Sequence, residues 1–183
     1  MKFPCKQCDG SYVIREGKYG IFAGCSNFPR CKSTMKLLDI ITEFIDNYGI
    51  NIYRWEKVCW KCGKKTKVYS YFLNYDLGDS DDILNFHYGA IGLGDIEYVD
   101  RILQKEISTI DLCYSNTTRS QYVANKCEHC GALQGHNYVV DDPHEIIGEL
   151  WHNRDMEKYL YRKIFVEDSS QLLPSLKSIF ADR

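Results

Sequence analysis

Eight of the nine cysteines in this chain stand in closely spaced pairs, and the pairs dictate what the chain can fold into. Two residues separate Cys5 from Cys8, Cys59 from Cys62 and Cys127 from Cys130, and five separate Cys25 from Cys31. A two-residue spacer lets one tight turn aim both sulfurs at a single ion, and four thiolates complete the tetrahedral shell of a structural zinc. Taken in chain order, the pairs predict two four-cysteine sites. The first is Cys5, Cys8, Cys25 and Cys31, with sixteen residues between its halves. The second is Cys59, Cys62, Cys127 and Cys130, with sixty-four between its halves. Two Zn²⁺ ions are the expected cofactors. For the second set the alternatives are a metal-free knuckle or a separate metal held through His129 or Cys113. Otherwise Cys113, between Leu112 and Tyr114, reads as a small buried apolar residue.

So many thiols at metal-ligand spacings point to a reducing compartment rather than to disulfides, and the expected location is cytoplasmic. The opening MKFPCKQC lacks the apolar stretch of a secretory signal, and no run of about 18 apolar residues occurs, so no membrane segment is expected. With 183 residues, 44% hydrophobic and 14% aromatic, the chain can bury a packed core.

Local patterns predict an α+β chain. A hairpin is expected between the first cysteine pairs, rising through Tyr12, Val13 and Ile14, turning at Gly17 and Lys18, and returning from Tyr19 to Gly24. Leu37, Ile40, Ile41, Phe44, Ile45 and Tyr48 recur with helical spacing, and Gly49 supplies the stop. Ile50–Val58 alternates like a strand, and Thr66–Leu73 reads as another. Residues 74–94, rich in Asp and Gly, read as a long loop. A helix capped by Asp95 should run through Ile107, followed by strands near 110–115 and 121–126. Asp142, Pro143 and Glu145 make a good helix start, with the helix running to about Trp151. Tyr159–Val166 is strand-like, and Pro174–Phe180 suits a short terminal helix. The expected organisation is a small β zinc ribbon at residues 1–36 and a second zinc-ribbon-based domain at 37–183. The latter's Cys₄ site is split by a helix-containing insertion, 63–126. Gly63 and Gly131, each directly after a Cys-x-x-Cys, permit the positive φ that such knuckles often need.

The net charge of -2 hides an uneven distribution. Residues 1–36 hold seven cations against Asp9 and Glu16, whereas residues 71–111 hold nine acids against Arg101 and Lys105. Single strands are bound by aromatic faces that stack on bases and by cations that follow the phosphates. Tyr19, Phe22 and Phe28 are candidate stacking platforms, and Arg15, Lys18, Arg30 and Lys32 are candidate phosphate contacts. Lys57, Lys61, Lys64, Lys65 and Lys67 form a second basic run, around the knuckle of the second site, that serves either as another nucleic-acid surface or as a solvated face.

The segment CKQCDGSYVIREGKYGIFAGCSNFPRC resembles the C-terminal zinc ribbons of bacterial type IA DNA topoisomerases. The shared pattern maps onto Val13, Arg15, Gly17, Gly20, Phe22, Gly24, Cys25, Ser26, Phe28, Pro29 and Cys31; Lys6 and Asp9 replace that family's usual Pro and Gly. The resemblance covers residues 4–35 and implies DNA binding, chiefly single-stranded, with Ser26 added to the contact residues. It does not imply topoisomerase activity, because the chain shows no counterpart of that family's catalytic domains.

A non-catalytic nucleic-acid-binding protein is therefore the leading expectation, with single-stranded or distorted DNA as partner. An alternative is a protein-interaction factor or inhibitor of nucleic-acid machinery, using the acidic stretch 71–111 to meet a protein partner. A third reading is a metal-dependent nuclease built on Asp79, Asp81, Asp82, His87 and Asp95, although this cluster matches no nuclease motif and no phosphate-binding glycine loop, H-E-x-x-H or G-x-S-x-G occurs.

Overall fold

The computed structural model describes residues 3–78, 83–140, 146–148 and 155–180. In chain order the first elements are β1 (Phe3–Pro4), β2 (Ser11–Gly17), β3 (Gly20–Cys25), β4 (Thr34–Lys36), α1 (Leu37–Tyr48), β5 (Ile50–Val58) and β6 (Lys65–Ser70). There follow α2 (Leu73–Leu77), α3 (Ile83–Tyr88), α4 (Glu97–Glu106), β7 (Ile110–Ser115), β8 (Ser120–Lys126) and β9 (Leu133–Gln134). The last are α5 (His136–Val140), α6 (Ile146–Gly148), β10 (Leu160–Ile164) and α7 (Leu173–Ile179). The strands form three antiparallel sheets, ordered β1-β2-β3-β4, β10-β5-β6 and β7-β8-β9. The chain is thus α+β. Among the described residues no helix is long and apolar enough to cross a membrane.

Two compact units emerge. One gathers Met1–Gly49, Leu73–Ala90 and Phe165–Arg183, and the other Ile50–Phe72 and Ile91–Ile164. These lines differ from a division after residue 36, because α1 and part of the segment 63–126 fall with the ribbon. The reason is burial. A ribbon of about 35 residues has too little apolar surface to close a core alone, and α1 supplies the stripe Leu37, Ile40, Ile41, Phe44 and Ile45, all buried. Each large apolar side chain removed from water contributes about 1.5–3 kcal/mol.

In that unit α1 packs against β3 and β4. Phe3 meets Phe44 edge-on at 6.1 Å between ring centres. The helix ends where predicted: Gly49 takes φ 68°, and its N–H reaches the Ile45 carbonyl. The expected long loop at 74–94 instead contains α2 and α3. Both are short, and a tertiary contact joins them: the buried Asn74 amide donates to Asn85 Oδ1 at 2.6 Å and to the Gly89 carbonyl.

In the second unit, β5 pairs with β6 through Tyr53↔Ser70, Trp55↔Val68 and Lys57↔Thr66, and β7 pairs with β8 through Ile110↔Asn125 to Ser115↔Ser120. A buried asparagine ties the two sheets together. Asn125 on β8 accepts the Tyr69 N–H of β6 at 2.8 Å and donates to the Tyr69 carbonyl at 2.9 Å, as a neighbouring strand would. The helix expected to follow a cap at Asp95 begins one residue later, with Ile96 as its cap, because the Asp95 carboxylate accepts the Gly92 N–H at 2.8 Å instead. The strand expected to run from Thr66 to Leu73 stops at Ser70, and Leu73 opens α2. The predicted helix start at Asp142–Glu145 and its end at Trp151 lie outside the described residues.

Candidate metal centres and nucleic-acid interface

Both predicted cysteine sets assemble. In each, the four sulfurs lie within 4.8 Å of one another, and among the described residues these are the clusters able to hold a metal. Four sulfurs about 2.3 Å from one tetrahedral zinc stand about 3.8 Å apart. Cys5 and Cys31 are 3.8 Å apart, Cys8 and Cys25 3.4 Å, and in the second set Cys59–Cys130 and Cys62–Cys127 are each 3.7 Å. The chain therefore carries two zinc sites, with the ligands expected from the sequence. Cys113 lies apart, and burial raises its thiol pKa. His129 is occupied by the Lys65 carbonyl at 2.8 Å.

Backbone N–H groups orient the ligands. The N–H groups of Gln7, Gly10 and Asn27 point at the sulfurs of Cys5, Cys8 and Cys25 at 3.4, 3.4 and 3.3 Å. The Gln7 N–H draws Cys5 from 9.0 down to about 6, towards the thiolate that a metal needs. Burial pushes Cys25 up to about 12, since thiols packed this closely do not ionise together without a cation among them.

The second site is built from two matching knuckles. Cys59 N–H bonds Lys64 O at 2.8 Å and Gly63 N–H bonds Cys59 O at 2.9 Å; Cys127 with Ala132, and Gly131 with Cys127, repeat the arrangement at 2.9 Å each. Gly63 and Gly131 take φ 71° and 68°, as the positions after each Cys-x-x-Cys predict. Cross-links bind one knuckle to the other: Trp60 Nε1–H to Leu133 O at 2.6 Å, Glu128 N–H to Thr66 Oγ1 at 3.1 Å, and Gln134 Nε2–H to Cys59 Sγ at 3.4 Å.

The ribbon sheet has two unlike faces. One carries Tyr12, Ile14, Ala23, Cys25 and Met35, with Ala23 fully buried and Tyr12 O–H paired with Ser33 Oγ at 2.7 Å. The other carries a row of direct cross-strand partners, Arg15↔Phe22↔Lys36, on β2, β3 and β4. Arg15 and Lys36 are exposed and Phe22 is half-buried. Two glycines let the Phe22 ring lie along the sheet. A Cβ on Gly17 would meet Phe22 Cε1 at 3.0 Å, and one on Gly24 would meet Arg15 Cδ at 3.0 Å and Phe22 Cε2 at 3.2 Å.

The remaining predicted contact residues occupy the ribbon's loops. Tyr19 is 90% exposed in the β2–β3 turn, with Lys18 Nζ 5.5 Å from its ring centre. Phe28 is 64% exposed, and Arg30 and Lys32 are exposed beside Cys31. Ser26 Oγ accepts the Ser11 N–H at 3.1 Å, which ties the loop to β2. Lys36 is absent from the predicted contact set; the signal for it is its even spacing from Thr34 on a strand after Cys31. The Lys6 ammonium is held by Glu43 of α1 at 2.9 Å, which raises its pKa.

Several of the described acids of 71–111 have partners within the chain. Asp100 is buried and accepts the Tyr71 O–H at 3.0 Å, Glu106 pairs with Arg162 at 2.8 Å, and Asp111 with Lys126 at 2.7 Å. Of the nuclease-like set, Asp79, Asp81 and Asp82 lie outside the described residues, and His87 sits 3.3 Å from Glu16. Among the basic run, Lys57 is buried with its ammonium 4.7 Å from the Tyr138 ring centre, and Lys65 pairs with Glu56 at 3.4 Å.

Comparison with known proteins bears on the ribbon alone. Residues 3–40 match the family described as the topoisomerase DNA binding C4 zinc finger. A DNA topoisomerase 1 of Mycoplasmoides gallisepticum is 61% identical over 28 residues, and one of Methanocaldococcus jannaschii is 58% identical over 30 residues. These stretches are 15% and 16% of this chain and 4% of each relative, so the chain spans a small fraction of the relatives it matches. No solved structure matches the chain.

Proposed function

We propose that the protein binds nucleic acid through the N-terminal ribbon, with single-stranded DNA preferred, and that both zinc ions are structural. One observation carries the reading: the Arg15–Phe22–Lys36 row, an aromatic ring set between two exposed cations on a sheet face. A base can stack on the ring while the flanking phosphates meet the cations. The exposed Tyr19 and Phe28 and the cations Lys18, Arg30 and Lys32 extend the same chemistry into the loops, and Ser26 adds a hydroxyl. A duplex keeps its bases stacked and hides their faces, which is why a single strand suits this surface better. The match of residues 3–40 to a DNA-binding finger supports the same reading. Four thiolates fill each zinc's shell and leave no position for substrate, so the metals hold shape rather than catalyse.

The test is a fluorescence-anisotropy titration of the zinc-loaded chain with labelled single- and double-stranded oligonucleotides at low salt. Tighter binding of the single strand, weakened by replacing Arg15 or Lys36, is expected. Equal affinity for both forms removes the single-strand preference, and no binding to either removes the reading.

A further inference from the structure

The second unit contains a groove that the ribbon reading leaves unused. It encloses about 770 Å³, within the range of small-molecule and base pockets. Its walls come from Trp60 of the Cys59–Cys62 knuckle, the turn at Leu93, Gly94 and Asp95, the β7–β8 hairpin, and Leu133 with the start of α5, and four aromatic rings line it: Trp60, Tyr114, Tyr122 and Tyr138. Trp60 and Tyr114 are 59% and 57% exposed, so both rings are open to solvent. Trp60 is a fixed platform, since its Nε1–H is spent on Leu133 O at 2.6 Å. Asp95 also lines the groove, and one of its oxygens accepts the Gly92 N–H at 2.8 Å. Gly92 is tightly enclosed: a Cβ there would meet Ser70 Oγ at 2.6 Å and Tyr71 O at 2.9 Å, so the turn that aims Asp95 is held by its surroundings.

A second observation concerns the turn beside the groove. Arg119 has φ 54°, the one non-glycine residue with positive φ among the described residues. It lies in the β7–β8 turn between Thr118 and Ser120, both of which line the groove. This is a place where glycine would sit without strain, and an L-residue there costs about 1–2 kcal/mol. Arg119 is exposed and stands in sequence between two lining residues, and the exposed Lys61 follows the lining Trp60.

We infer that this groove takes a single unstacked guanine base of a single-stranded nucleic acid. The rings stack on the base, the Asp95 carboxylate accepts the two adjacent N–H donors of guanine's Watson–Crick edge, and Arg119 and Lys61 meet the flanking phosphates. Thymine offers one N–H on that edge and adenine one amino group, so neither satisfies the carboxylate as well. This deepens the nucleic-acid reading above and rests on it for the class of ligand, a single strand with unstacked bases.

The experiment uses the full zinc-loaded chain with two heptanucleotides, all-thymine and all-thymine with one central guanine. The guanine-containing strand should bind about tenfold tighter. Asp95→Asn and Tyr114→Ser should erase that ratio while retaining two zinc ions and the affinity for the all-thymine strand. Arg119→Gly should weaken the guanine-containing strand alone without lowering Tm, because it relieves the backbone. Phe22→Ala should weaken both strands and keep the ratio. A ratio near one in the wild type, or a ratio that survives both groove substitutions, overturns the inference. If neither strand binds, the ribbon reading has failed, and quenching of tryptophan fluorescence by dGMP then decides the groove. Quenching by dGMP beyond that by dTMP, lost in Asp95→Asn, sustains the groove, and equal quenching overturns it.

Discussion

Replacing Phe22 with alanine separates stacking from charge on the ribbon. The ring lies on the exposed face over Gly17 and Gly24, away from buried Ala23, so its loss leaves the packing under α1 and both zinc sites intact. Stacking of one base on an aromatic side chain contributes about 1–3 kcal/mol, which corresponds to a loss of about five- to 150-fold in affinity for a single strand. The salt dependence should not change. If Arg15, Lys18, Arg30, Lys32 and Lys36 each neutralise a phosphate, log K falls with log salt at a slope of about -3.5, a loss of about a hundredfold between 50 and 200 mM. Arg15→Gln should bring that slope to about -2.8, the complementary signature. Anisotropy titrations at four salt concentrations, with zinc content measured on each variant, read both quantities. Phe22→Ala binding with wild-type affinity, or Arg15→Gln leaving the slope unchanged, would refute the assignment of the Arg15–Phe22–Lys36 face.

Three further outcomes follow from other contacts. Asn125→Ala strands the buried Tyr69 N–H and carbonyl and removes the tie between two sheets; unfolding by denaturant should show a loss of about 2–5 kcal/mol. Burial, relieved in part by the Gly94 N–H and Tyr71 O–H, raises Asp100 from 3.8 to about 7. The unfolded chain therefore sheds this proton first, so the protonated carboxyl's contribution is complete below about pH 4 and lost as pH rises through about 7. At about 1.4 kcal/mol per pH unit the swing is at most about 4 kcal/mol. Asp100→Asn should flatten it and raise Tm at pH 8, and unchanged curves would show that the carboxyl does not titrate in that window. Gly131→Val forces a β-branched residue to φ 68°; metal analysis should find one zinc instead of two, with single-strand binding by the ribbon retained.

How far the sequence could be read depended on whether a feature is local. Helix α1 was legible to the residue because five apolar side chains and a terminal glycine all lie within thirteen positions. The knuckles were equally plain, since Cys-x-x-Cys-Gly encodes both ligands and the left-handed turn after them. Asp95 misled because a carboxylate before a helix can satisfy other donors, and here it turns back to Gly92. Helices α2 and α3 were hidden by an Asp- and Gly-rich composition and are joined through Asn74, whose partner is eleven residues away. Lys36 was missed for a similar reason: its place beside Phe22 exists only once β4 pairs with β3. The aromatic groove draws on segments near residues 60, 95, 120 and 136, and no window along the chain shows them together.

The spacing of the two cysteine sets imposes an order of assembly. The first set is complete as soon as residue 31 is made and closes a gap of sixteen residues; the second waits for residue 130 and closes sixty-four. Two doublings of loop length add about 1.2 kcal/mol to the closure entropy, and two sheets must meet before the second four thiols converge. The first site's ligands are therefore complete before the second's. Chains short of zinc would hold a finished ribbon and an open second pair of knuckles.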